Sequence, residues 1–239
     1  MEKLITYPTL RNFAYSNDKI CQKPIRGIAL SFFGLGGKEM FAEDTELGLF
    51  LAEKGIILII PYTNPWSWMN KQAVAYTDEL IDVIMEEYGL PEDLPIVSTG
   101  GSMGGQSALV YTAYAKRTPK ACVANCPVCD LPYHFTERPD LPRTLYSAFG
   151  QYDCSLEEAL QSASPLHLAE AGKMPDVKYT IYHCTEDKAV NKEMHSDRFV
   201  VAMHYGVNYF AVPDRGQCDL PPEFRESYNQ AIVSACMEG

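Results

Sequence analysis

A chain of 239 residues, 46% hydrophobic and 21% charged, is long enough to bury about 70–75% of its unfolded surface and is read as one domain over 1–239, which excludes disordered, collagen-like and coiled-coil architectures. A formal net charge of −11, with no basic run to offset it, excludes a polyphosphate partner such as nucleic acid and disfavours highly anionic substrates. The eight cysteines are expected to be reduced thiols, because the opening residues Met1 to Pro8 carry no apolar signal core and point to a cytoplasmic protein.

Short apolar runs alternate with longer helical patterns along the chain, which predicts an α/β fold with a mostly parallel central sheet and helices on both faces. Residues 3–15 are expected to add one or two edge strands. The first long strand, 24–33, ends in Phe33-Gly34-Leu35-Gly36-Gly37, and a helix over 40–54 closes at Gly55. Strand 55–61 leads into a loop carrying Trp66 and Trp68. That loop lies at the carboxyl edge, where open α/β sheets bind ligands, so Phe33, Trp66 and Trp68 are expected to wall an apolar substrate pocket. Val74, Thr77, Ile81, Ile84 and Tyr88 then mark one face of a helix that closes at Gly89.

Strand 94–99 runs into Gly100-Gly101-Ser102-Met103-Gly104, followed by a helix over 103–116. This is G-x-S-x-G between a strand and a helix. A serine in so sharp a turn has its hydroxyl thrust above the sheet, and glycines two residues to either side let strand and helix approach. Ser102 is the predicted nucleophile.

After strand 121–125, Cys126 and Cys129 have the spacing of a metal or redox pair. Without a second such pair they are read as packing residues, so no metal and no cofactor are expected. Three prolines and five aromatic residues crowd the next stretch, which reads as a cap insertion over about 130–165. Ser155 and Glu158 have capping-box spacing, so one short helix is expected to start there. The chain continues with strand 177–183, a loop carrying Glu186 and Asp187, a helix over 191–205, strand 207–212 and a helix over 222–236. No run of about 18 apolar residues occurs, so no membrane span is expected.

On the elbow Gly-Gly-Ser-Met-Gly-Gly and its strand–turn–helix setting, the sequence resembles the α/β-hydrolase superfamily from about residue 24 to its end. The resemblance implies a serine hydrolase of esterase or prolyl-oligopeptidase-like type, acting on a small carboxylic ester through an acyl-Ser102 intermediate and needing no cofactor. It places oxyanion donors at the amides of Met103 and of Leu35 or Gly34, and the acid at Asp187, with Glu186 its neighbour. It also expects a histidine on the loop after the last strand. Gln217 stands there instead, and an amide offers no basic nitrogen.

Three readings remain open at this point: an active parent enzyme carrying a His-to-Gln change, a catalytically silent fold that binds a ligand, or a displaced base. For the last, helical phase turns His195 inward and makes it the leading candidate, ahead of His134 and His167, with His183 too far below the rim. A peptidase or amidase is a further alternative. Cys184 and Cys218, beside the two loops, are read as packing residues.

Overall fold

The computed structural model describes residues 4–237. A 3-10 helix over Tyr7–Asn12 precedes strand β1, Ala14–Ser16, so of the one or two edge strands expected there one short strand is present. The part of that expectation touching residue 3 lies outside the described residues. Strands β2 (Gly27–Phe32), β3 (Ile56–Pro61), β4 (Ile96–Gly101), β5 (Ala121–Asn125), β6 (Lys178–Cys184) and β7 (Val207–Val212) follow the predicted runs. They form a seven-stranded sheet in the order β1-β3-β2-β4-β5-β6-β7. Only β1 runs antiparallel, pairing Ala14 with Pro61; the register of the others is parallel, with Phe32 beside Gly100, Gly101 beside Asn125 and Cys184 beside Val212.

Side-chain alternation sends Ile28 and Leu30 to one face of β2 and Ala29 to the other. Ile28, Leu30, Ile57 and Ile59 share a core with Leu80 and Ile84 of helix α2 (Lys71–Tyr88) and Leu109 of helix α3 (Met103–Tyr114). Ala29, Leu58, Val97 and Val123 pack on the opposite face with Leu51 of helix α1 (Glu46–Glu53) and Ile232 of helix α9 (Pro222–Met237). Each fully buried leucine or isoleucine contributes about 1.5–3 kcal/mol of transfer free energy. Among the described residues no helix is long and apolar enough to cross a membrane.

Two helices differ from the sequence expectation. The one predicted from residue 40 begins only at Glu46, because the Thr45 side chain accepts from Gly48 N and fixes the start there. The one predicted over 191–205 is a wide π-type turn, Glu193–Asp197, running into a short α8, Arg198–Ala202.

The segment read as a cap holds more helix than its prolines promised. It contains α4 (Leu131–Glu137), α5 (Leu141–Phe149) and α6 (Leu156–Ser162), and α7 (Pro165–Glu170) follows it. The predicted capping box of Ser155 and Glu158 is present. Pro132, Pro142 and Pro165 lie in the first turns of α4, α5 and α7, where a missing N–H costs nothing. Leu131, Leu141, Leu145, Phe149 and Leu160 form a third apolar cluster with Trp68, Met103 and Val190, so α4–α6 sit over the carboxyl end of the sheet beside the Ser102 turn.

Candidate active site

Ser102 joins β4 to α3 with φ 57° and ψ −123°, a conformation that costs a non-glycine residue about 1–3 kcal/mol and that the surrounding contacts must hold. Its N–H donates to Asn125 O at 2.9 Å, and Gln106 N and Val128 N donate to its carbonyl at 3.1 and 3.3 Å. The flanking glycines are sterically required. A Cβ on Gly100 would sit 2.5 Å from the Gly104 carbonyl carbon, and one on Gly104 would sit 2.1 Å from Phe32 O.

The turn opens onto a cavity of about 470 Å³ whose lining includes Ser102, Gln217, Leu35, Trp68, His134 and Arg138. Met103 begins α3, so its amide is one of the first-turn donors without an intrahelical acceptor. In the glycine loop, Gly36 N donates to Pro65 O and Gly37 N to Gly34 O, so neither amide is available to the cavity. Gly34 and Leu35 remain, and both line it.

The sequence-predicted pocket wall is corrected in part. Trp68 is fully buried beside the cavity. Phe33 instead stacks on Phe41, with ring centroids 5.9 Å apart, and Trp66, 37% exposed, lines a neighbouring cavity of about 370 Å³ with Tyr62 and Tyr76. The Trp-Ser-Trp spacing sends the two indoles different ways, because Trp68 and Met69 both adopt positive φ (45° and 47°) and turn the chain between loop and helix.

Gln217 does reach Ser102. Its Nε2 donates to Ser102 Oγ at 2.9 Å. The loop that carries it is held by Asn125 Nδ2 donating to Cys218 O at 3.1 Å and by Cys218 N donating to Cys126 Sγ at 3.4 Å. Cys184 N also donates to Cys126 Sγ, at 3.3 Å, so Cys126, Cys184 and Cys218 knit the two site loops to β5 as packing residues.

Asp187 follows β6 with its carboxylate shielded from solvent. Oδ1 accepts from Ala189 N at 2.8 Å and Val190 N at 3.0 Å. Oδ2 has no hydrogen-bond partner among the described residues; His183 Nε2 lies 3.7 Å away. That nitrogen is committed elsewhere, donating to Val190 O at 3.1 Å while Nδ1 accepts from Ser196 Oγ at 2.6 Å. Burial drives His183 down to about 4, and the Val190 and Asp187 contacts offset this only in part.

A second group of polar side chains beside the cavity was underrated in the sequence. Glu137 Oε2 accepts from His134 Nδ1 at 2.6 Å and from His195 Nε2 at 3.1 Å, and Glu137 Oε1 accepts from Asn191 N at 3.1 Å. His195 is fully buried, as helical phase required. Its Nδ1, however, accepts from Cys129 N and Asp130 N at 3.1 and 3.0 Å, and its Nε2 meets Glu137, so it does not face Ser102. The available signal was His134-x-x-Glu137, three residues apart on one helical face.

Among the described residues, two groups have donor atoms within 4.8 Å of one another, as a metal would need: His134 with Glu137 and His195, and Cys126 with His183 and Asp187. Their tautomers disfavour that use. Two backbone N–H groups aimed at His195 Nδ1 put its proton on Nε2, the nitrogen that would have to ligate, and His183 Nε2 is likewise a donor. Cys129, the other half of the Cys-Pro-Val-Cys spacing, lies in neither group.

No protein-family model and no curated protein sequence matches the chain. Solved structures do. A puromycin hydrolase superposes with a TM-score of 0.70 at 16% identity, covering 90% of this chain and 34% of that one. An S-formylglutathione hydrolase from Agrobacterium tumefaciens gives 0.69 at 15% identity, covering 94% and 88%. A monoacylglycerol lipase from Paleococcus ferrophilus gives 0.58 at 16% identity, covering 95% and 98%. The chain therefore spans about a third of the puromycin hydrolase and nearly all of the lipase. At these identities the likeness is one of fold.

Proposed function

From the α/β-hydrolase fold that the chain shares with these structures, we propose that it is a carboxylesterase-type serine hydrolase that cleaves a small carboxylic ester through an acyl-Ser102 intermediate. The observation that carries this is the Ser102 turn: a strained φ of 57° between strand and helix, with the residue on the wall of a 470 Å³ cavity. Strain of this kind clusters at active sites, and here it falls on a hydroxyl between two sterically required glycines. Ser102 Oγ attacks the ester carbonyl carbon, and the carbonyl electrons move to its oxygen. The amides of Met103 and Leu35 receive that oxyanion, each worth about 2.7–4 kcal/mol. The alcohol leaves, and water releases the acid from Ser102. Trp68, Leu35 and Val190 give the cavity apolar walls, which suits a small acyl group.

The test is p-nitrophenyl acetate turnover. A Ser102-dependent release of p-nitrophenol, absent in Ser102→Ala, is expected; equal rates in the two proteins contradict the reading. A peptidase would prefer peptide p-nitroanilides in the same assay. One observation favours a second reading, a silent ligand-binding fold: the group on Ser102 Oγ is the Gln217 amide, which donates and cannot accept a proton.

A further inference from the structure

A serine esterase needs a base for the hydroxyl proton, and Gln217 is occupied as a donor. Because its Nε2–H points at Ser102 Oγ at 2.9 Å, the serine's own hydrogen must leave in another direction. Among the described residues lining the cavity, His134 carries the only imidazole. Its position follows from local sequence. Asp130 caps α4 by accepting from Tyr133 N at 3.0 Å, which starts the helix so that His134 and Glu137 share a face. Trp68 and His195 then pin the ring through edge-on contacts with centroids 5.5 and 5.3 Å away.

The proton inventory of the cluster is determined from its buried end. Cys129 N–H and Asp130 N–H both donate to His195 Nδ1, so His195 carries its proton on Nε2 and donates it to Glu137 Oε2 at 3.1 Å. The same oxygen accepts from His134 Nδ1 at 2.6 Å. His134 is thereby held with its proton on Nδ1 and a lone pair on Nε2, the arrangement of a histidine oriented by a carboxylate. Burial would raise the Glu137 carboxyl, but the bonds from His134 and His195 outweigh it and hold it well below the usual carboxylate range, so it stays ionised. Burial is also the main influence on His134. It pushes the imidazole below its ordinary value, with Glu137 opposing the shift and His195 and Arg138 reinforcing it, and so keeps the ring neutral and able to accept at pH 7.

We propose that His134 is the displaced general base of the Ser102 reaction, with Glu137 as the residue that positions it and His195 as the brace that holds Glu137; this rests on the hydrolase reading above. As the Ser102 Oγ–carbon bond forms, the hydroxyl proton passes to His134 Nε2, directly or through one water. The imidazolium returns it to the alkoxide as the ester C–O bond breaks. In the second half, water attacks the acyl carbon, gives one proton to His134, and the same proton goes back to Ser102 Oγ as it leaves. Gln217 serves as a fixed donor to the serine oxygen as that oxygen develops charge.

The experiment compares p-nitrophenyl acetate hydrolysis by the unaltered chain, Ser102→Ala, His134→Gln, His134→Ala with and without added imidazole, and His204→Gln, an exposed histidine. Expected for His134→Gln is a fall in kcat/KM of about 10²–10⁴-fold, the usual worth of a general base. Above the hydrolysis that imidazole alone causes, added imidazole should restore part of the rate to His134→Ala and none to Ser102→Ala, a recovery that a purely structural role would not give. His204→Gln should be unchanged. Ser102-dependent turnover that survives in folded His134→Gln overturns the base assignment and leaves the hydrolase reading standing. Lack of Ser102-dependent turnover in the unaltered chain overturns both.

Discussion

Gln217 and Asp187 sit on adjacent loops in complementary states: the amide donates to Ser102 Oγ, and the Asp187 Oδ2 atom is buried without a hydrogen-bond partner. An imidazole at 217 would meet the serine on one side and could offer its other N–H to that unpaired oxygen. Gln217→His should therefore relieve the dependence on His134. Placed in His134→Gln, it is expected to raise ester hydrolysis by at least about tenfold, toward the 10²-fold or more of a positioned base, and adding Asp187→Asn should remove that gain. Steady-state rates of the three proteins check this; no gain from Gln217→His would show that Asp187 is not oriented to support a base. At this scale the Ser102 turn and the placing of Gln217 beside it were legible, since each residue follows a strand end with recognisable loop chemistry. His134 was not. The role proposed for it depends on a proton order set by backbone donors at Cys129 and Asp130 that meet His195 only through the fold.

The helices show a similar division. Apolar periodicity located α2 well, because one face of it is buried against the sheet, whereas α3 is buried on every side from Met103 to Thr112 and follows from the strand–turn–helix pattern instead. The α4–α6 segment is harder to read, because proline marks both its helix starts and the break between them: Pro132 and Pro142 stand in first turns, while Pro139 lies in the turn between α4 and α5. The predicted helix over 191–205 failed for another reason: the chain widens into a π turn where His195 Nδ1 accepts from Cys129 and Asp130 N–H, and Arg198 pairs with Asp130 at 2.6 Å. The tightest constraint between elements is the approach of α3 to β2. Gly104→Ala would place a methyl 2.1 Å from Phe32 O, and rigid backbone cannot yield cheaply there. Thermal melts are expected to show a loss of about 1–3 kcal/mol, the cost of overpacking, together with weaker labelling of Ser102 by a fluorophosphonate. A variant as stable and as readily labelled as the unaltered chain would contradict the packing account.

Across the whole molecule, short apolar runs joined by helical crossovers made the sheet legible, its edge strand included; only the bounds of β1 were blurred, since three residues carry no periodicity. Buried ionisable groups make the molecule acid-sensitive. Burial holds His183 at about 4 in the folded chain, below the roughly 6.5 of an unfolded histidine, so the unfolded state binds more protons between those values and stability falls as pH drops through that window. The full shift is worth about 3 kcal/mol. Glu137, depressed by its two histidine partners, adds a further loss once pH falls below the ordinary carboxylate range. Asp78, raised chiefly by burial, works in the opposite direction there. Melting temperatures at pH 7, 5.5 and 4 should decline at each step, and a flat series would contradict the buried neutral state of His183.

The central claim is covalent: an acyl group passes through Ser102. The most direct measurement is peptide mass spectrometry of the protein quenched in acid during reaction with p-nitrophenyl acetate. An acetyl group on the peptide containing Ser102, present in the unaltered chain, accumulating in proportion to the burst and missing from Ser102→Ala, is the expected result. Turnover with no acetylated Ser102 peptide, or acetylation confined to lysines and cysteines and unaffected by Ser102→Ala, would contradict it.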